Sequence, residues 1–198
     1  IYDNDLGMSS DATQLDINSG TTDLGTISTC NVFGGTFVGD VTLETQAEVA
    51  VFGLMGYDTV DGNMQIGYST EITDLSPLSN LTHVTGNMRI LNNSQLSTLT
   101  GLENLTSIDS EIRIGGNHLL NNLQGLNGLV SIAGDVIVIN NNGLTSLNGL
   151  ENLNTIMGYL MIKNNSNLQT LNGLNNLDLI DSELILEGLD NLNSLEGF

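Results

Sequence analysis

The chain of 198 residues carries 23 acidic side chains against 3 basic ones, Arg89, Arg113 and Lys163, for a formal net charge of −20. Nucleic acid and anionic lipid repel such a surface, which excludes both as direct partners, and no apolar run reaches the length of a membrane span. A hydrophobic share of 39% is too high for a disordered chain and, at this length, enough for a substantial core.

Residues 1–36 alternate weakly in hydrophobicity (Leu15, Ile17) and are rich in Gly, Ser and Thr, so they read as an N-terminal extension or as cap strands. The chain begins at Ile1 rather than at methionine, which suggests a processed product or a trimmed fragment. The stretch DNDLGMSSD, residues 3–11, lacks the glycine position and spacing of an EF-hand loop, and calcium is the one cofactor it leaves open. Cys30 is the only cysteine, so no internal disulfide forms and the chain must hold together by packing. With lysine nearly absent and Asn, Gly, Ser and Thr abundant, the composition reads as extracellular.

Residues 37–59 read as an atypical first repeat. Val41 and Leu43 alternate as in a strand, and Thr45-Gln46-Ala47-Glu48 has the pattern of a capping box, which predicts a short helix over Gln46–Phe52. A terminal repeat covers the open end of a stacked core and is expected to depart from the pattern.

From residue 60 to residue 198 a 24-residue unit recurs without insertion: five complete copies begin at Val60, Val84, Ile108, Ile132 and Ile156, and an incomplete sixth begins at Ile180. Two periods sit inside each copy. In GDVIV the period is two, which predicts a short strand with Val136 and Val138 inward. In LTSLNGLENL the period is three, as in Leu144, Leu147, Leu150 and Leu153, and a glycine recurs at Gly101, Gly125, Gly149 and Gly173. An α-helix needs 3.6 and disfavours that glycine, and Pro77 takes its place in the first copy, so a compact coil of 3₁₀ or extended segments is expected. One copy has no means of burying its own apolar side. Stacked copies do, by forming a parallel sheet with one strand per turn. The asparagines that follow each strand (Asn92 and Asn93, Asn140 and Asn141, Asn164 and Asn165) then form ladders that satisfy turn backbone.

The section V-x-V-x-N-N-x-x-L resembles a leucine-rich repeat, and the longer form GDVIVINNNGLTSLNGLENLNTI is similar to the receptor L-domain type. GDVTLETQAEVAVFG followed by ITDLSPLSNLTHVTGNMRI resembles the bacterial surface branch of that group, chains from Bacteroidetes in particular. Over roughly residues 37–198 the resemblance implies a mainly β fold, a right-handed parallel β-solenoid with an atypical N-terminal cap, an extracellular place, and binding or adhesion. It supplies no catalytic residues. The receptor members' disulfides are missing, which argues against a growth-factor receptor role.

The residues between the core positions of each strand face outward. The early pairs are polar: Asn63 and Gln65, Asn87 and Arg89, Glu111 and Arg113. The late ones are apolar, with Ile137, Tyr159, Met161 and Ile185, flanked by Ile139 and Met157. A contiguous apolar patch marks a contact surface, so these six residues are the expected binding face for a protein or glycan partner. Glu111 and Asp135 neighbour each other near the arginines, a placement that carbohydrate-active solenoids use, although a balanced charge ladder explains it more simply. His83 and His118 occupy unrelated positions of their copies, and neither a nucleophile triad nor metal-ligand spacing occurs. The sequons headed by Asn80, Asn92, Asn104 and Asn164 read as accidents of the repeat.

The sixth copy keeps register to the last residue. Leu192, Leu195 and Phe198 continue the leucine columns, and Glu183, Leu184, Ile185 and Leu186 form a strand expected as an open edge. The sequence thus points first to an extracellular non-enzymatic binding module. The second reading is a structural subunit that stacks copies of itself head to tail through that edge, and the third is a polysaccharide-active enzyme.

Overall fold

The computed structural model describes residues 34–197, so the expectations for residues 1–33, including Cys30 and the 3–11 stretch, and for Phe198 lie outside the described residues. The described chain is mainly β, a solenoid of about six turns built on parallel sheets, with one α-helix near its start.

Each turn contributes two strands, not the single one expected. A longer-stranded sheet runs through Val41–Leu43, Met64–Gly67, Met88–Leu91, Ile112–Gly115, Val136–Ile139, Leu160–Lys163 and Leu184–Glu187, paired in that order and all parallel. A second sheet stacks Thr36–Val38, Thr59–Asp61, His83–Val84, Ser107–Ile108, Ser131–Ile132, Thr155–Ile156 and Leu179–Ile180. Most strands of this sheet have two residues and a single inward side chain, such as Ile132 or Ile156, so alternation had nothing to mark. Register in the longer-stranded sheet follows the repeat: Val136 pairs with Ile112 on one side and Leu160 on the other.

The core is the set of aligned columns. Val136 and Val138 are 2% and 1% exposed, and the leucine series is equally closed through the middle copies. Apart from a short 3₁₀ helix at Ser76–Leu78 in the first copy, that series is neither helix nor strand. Its backbone makes successive three-residue turns, with Leu126 N donating to Leu123 O at 3.1 Å and Leu129 N to Leu126 O at 3.0 Å. Such turns bring every third side chain inward, which is the period seen in the sequence. The recurrent glycine is forced twice over. Gly149 sits at φ +117, and a Cβ there would strike the Leu123 carbonyl of the turn before.

In the first turn a helix, Gln46–Met55, replaces the leucine coil and runs three residues past the predicted end. The capping box forms as expected: Glu48 N donates to Thr45 Oγ1 at 3.1 Å, and Thr45 N donates to Glu48 Oε2 at 3.0 Å. The helix buries Val49 and Phe52 against the core. Phe52 packs in a three-ring cluster with Phe37 and Tyr57, ring centroids 5.4–5.9 Å apart. In the last turn the same columns lie open: Leu184 is 41% exposed, against 1% for Leu160 one turn earlier.

Candidate functional site

The paired asparagines divide into two roles. The second of each pair, Asn93, Asn141 and Asn165, is fully buried together with Asn117. Asn117 Nδ2 donates to Ile90 O at 2.9 Å, and its Oδ1 accepts the Asn93 N–H at 3.0 Å, so each amide ties its turn to the one before. The same bonds repeat at Asn141 and Asn165, and this ladder is architecture. The first of each pair, Asn92, Asn140 and Asn164, holds the left-handed backbone that ends each strand, with φ between 53 and 56. Gly116 takes this position in the third copy, and Tyr68 (φ 59) in the first. Asparagine and glycine tolerate that conformation; a bulky side chain such as tyrosine does so at a cost.

On the outer side of the longer-stranded sheet the side chains form three columns. The column ahead of the strands is largely structural. Asn63 Oδ1 accepts the Asn87 N–H at 3.0 Å, Asn87 Oδ1 accepts the Glu111 N–H at 3.1 Å, and Asp135 Oδ1 accepts the Tyr159 N–H at 3.0 Å. The Glu111 carboxylate pairs with Arg89, Oε1 to Nε at 3.3 Å. Glu111 and Asp135 are thus engaged with backbone and cation, as a charge ladder would have them. Tyr159 holds its proton above the ordinary phenol value, first because burial disfavours the anion and then through the charges of Asp135 and Glu111; Arg113 acts in the opposite direction.

The middle column runs Gln65, Arg89, Arg113, Ile137, Met161, Ile185, from amide through cation to aliphatic. Here one expectation is corrected. Ile137 is only 3% exposed, because Arg113 and Met161 flank it on the neighbouring strands and close over it. Tyr159, Met161 and Ile185 remain half-buried on this face. Met157, 50% exposed, belongs to the corner between the two sheets rather than to the strand. Ile139 is half-buried in the third column, where it lines a cavity that sequence reasoning missed.

That cavity has a volume of about 510 Å³ and is lined by Gln65, Tyr68, Arg89, Leu91, Asn92, Arg113, Gly115, Gly116, Ile139 and Asn140. Its origin is local. The third copy ends its strand with Gly115-Gly116 where the second has Leu91-Asn92 and the fourth Ile139-Asn140. Leu91 and Ile139 close over Gly115, where a Cβ would meet Ile139 Cγ1 at 3.1 Å and Leu91 Cδ2 at 3.3 Å, and these residues line the cavity together. The signal in the sequence was Gly115-Gly116 beside both arginines, in a column that also has a glycine, Gly67, in the first copy. Arg89 and Arg113 stand directly opposite each other in register on its wall. Among the described residues Arg113 has no carboxylate within 4.0 Å, the three ion pairs being His83–Asp109, Arg89–Glu111 and Lys163–Glu187.

Of the residues expected at the open edge, Glu183 and Leu184 are exposed, Ile185 and Leu186 half-buried, and Leu195 exposed. Among the described residues no cluster of three or more His, Cys, Asp or Glu side chains is arranged to hold a metal, and no helix is long and apolar enough to cross a membrane.

The sequence model of one family, the Receptor L domain, matches residues 58–142 and again, in an overlapping register, 111–189. The two matches together span more than half of the chain. The chain belongs to the Receptor L domain family. Neither the curated proteins nor the solved structures yielded a match. Receptor L domains form a ligand-binding fold rather than an enzyme family and are typically extracellular. The likeness to the bacterial surface branch finds no support beyond this family membership. The matched span covers the strands that carry the cavity and the Tyr159–Met161 face, so both lie in the part of the chain that defines a Receptor L domain.

Proposed function

We propose that this Receptor L domain is a non-enzymatic extracellular binding or adhesion module that holds a protein or glycan partner against the outer face of its longer-stranded sheet. One observation carries the reading. Along the middle outward column Arg113 and Met161 close over the buried Ile137, so the arginines beside the cavity and the apolar Met161 and Ile185 share one face. A solenoid needs neither: the opposite side of each strand supplies its core, and an outward ladder serves as well with small polar residues.

The test is a comparison on arrays of glycans and of extracellular proteins. Wild-type protein is expected to be retained on a defined subset, and the double substitution Tyr159→Asp with Met161→Asp to lose that retention with an unchanged circular-dichroism spectrum. Retention that survives both substitutions, or a wild type retained nowhere, would overturn the reading.

A further inference from the structure

Building on the binding reading of this face, we propose that the cavity over Gly115-Gly116 is a subsite for an acidic sugar unit, whose carboxylate is held by Arg113 and whose ring packs on Tyr68. Three independent features converge on it.

The first is charge. Two of the chain's three cations are stacked directly opposite each other on adjacent strands, although 23 carboxylates are distributed over the chain. Like charges placed across a strand pair oppose folding, and Glu111 neutralises only Arg89. Arg113, half-buried and with no carboxylate within reach among the described residues, is left with a planar fork of donors at the cavity wall. A guanidinium of that kind matches a carboxylate in geometry and charge.

The second is strain. Tyr68 occupies the left-handed position that asparagine or glycine fills in the later copies, at φ 59, and is 61% exposed as a residue at the rim of the cavity. Packing does not require the ring there, since it is mostly in water. A bulky residue in an unfavourable conformation, presented to solvent beside a cavity, points to a ligand rather than to the fold. The flat C–H face of a pyranose packs on such a ring as other apolar surfaces do.

The third is shape and polarity. The volume of about 510 Å³ lies within the range of about 300–1,000 Å³ of small-ligand pockets. The side-chain amides of Gln65 and Asn92 at the rim, with the Nδ2 of Asn140, whose Oδ1 accepts from Asn164 Nδ2 at 3.2 Å, supply both donors and acceptors, which suits a ring of hydroxyls better than a lone anion. An acidic peptide would use the guanidinium but leave the amide ring and the exposed aromatic without matched partners.

The experiment follows the backbone amide signals of Gly115 and Gly116 by nuclear magnetic resonance in separate titrations with sodium glucuronate, glucose and a tripeptide bearing one glutamate. Glucuronate is expected to shift both signals saturably, while glucose and the tripeptide give no saturable shift over the same concentrations. Arg113→Gln should weaken glucuronate binding by about tenfold or more, the loss that follows from removing a charge-assisted hydrogen bond. Arg113→Lys keeps the charge and should retain part of the affinity, which separates a lost contact from a lost fold. Tyr68→Asn should weaken binding while raising the melting temperature, a pairing that a merely structural tyrosine would not give. Gly115 and Gly116 signals unmoved by glucuronate, an equal response to glucose or to the tripeptide, or full affinity in R113Q would each overturn the assignment. The array reads the Tyr159–Met161 face and the titration reads Gly115 and Gly116, so failure here with array retention intact removes the subsite alone.

Discussion

Tyr159 stands in a column otherwise filled by Asn63, Asn87, Glu111, Asp135 and Glu183, and it answers to its neighbours in the stack more than to those in sequence. Asp135, one turn back, accepts its N–H and places a negative charge beside its ring. Burial comes first and that charge second in raising the phenol above its ordinary value of about 10. The sign of the consequence follows. As pH rises the unfolded phenol ionises first, while the folded one keeps its proton. Tyr159 therefore contributes stability fully below the ordinary value and loses it as pH climbs through the raised one. Asp135→Asn keeps an oxygen for the Tyr159 N–H and removes the charge. It should move the tyrosine titration, read from the ring carbon signals, down toward the ordinary value. A titration that does not move would show that Asp135 has no part in it.

Among the elements, the turn-to-turn contrast between two equivalent leucines measures what stacking is worth. Leu160 and Leu184 occupy the same column on paired strands, the first closed and the second open on one side. Leu160→Ala removes fully enclosed methyl groups and leaves a cavity, so it should cost about 2–5 kcal/mol of unfolding free energy. Leu184→Ala should cost no more than about 1 kcal/mol. Chemical denaturation of the two variants decides it; equal losses would mean that Leu184 is covered as fully as Leu160.

The same elements show why some of the architecture could be read in advance. The longer strands and the leucine coil announce themselves because each repeats an inward residue at a fixed period, and Thr45 with Glu48 spells its own cap. The second sheet has one inward side chain in each short strand and leaves no period to find. The burial of Ile137 was hidden for another reason: alternation gives the side of the sheet, whereas cover depends on the lengths of Arg113 and Met161 across the strands. The cavity was marked in the sequence only by Gly115 and Gly116, two residues without side chains in columns that were read for the side chains they have.

Taken whole, the molecule sets a strong short-range cohesion against a long-range repulsion. Each turn contacts only its neighbours, through buried columns and the asparagine ladder, and these interactions are insensitive to salt. The excess of charge is not local: it amounts to −20 over the chain, and the described residues contain three ion pairs, one of which needs a protonated His83. Exposed pairs of this kind are worth little each, so screening them loses little. Screening the repulsion among carboxylates on successive turns gains more, because those charges lie in the solvent where ions reach them. Added salt should therefore stabilise this protein, the reverse of what is expected when surface ion pairs dominate. Raising sodium chloride from about 10 mM to about 500 mM shortens the screening length from about 30 Å to below about 5 Å. The expected gain is about 1 kcal/mol, seen as a rise of roughly 2–4 °C in the melting temperature for a chain of this size. Sodium chloride is the right probe because it binds no fold specifically, whereas sulfate would add an exclusion effect of its own. A melting temperature that falls across that range would mean that attraction, not repulsion, governs the outer surface, and that the acidic residues are paired more effectively than the three contacts suggest.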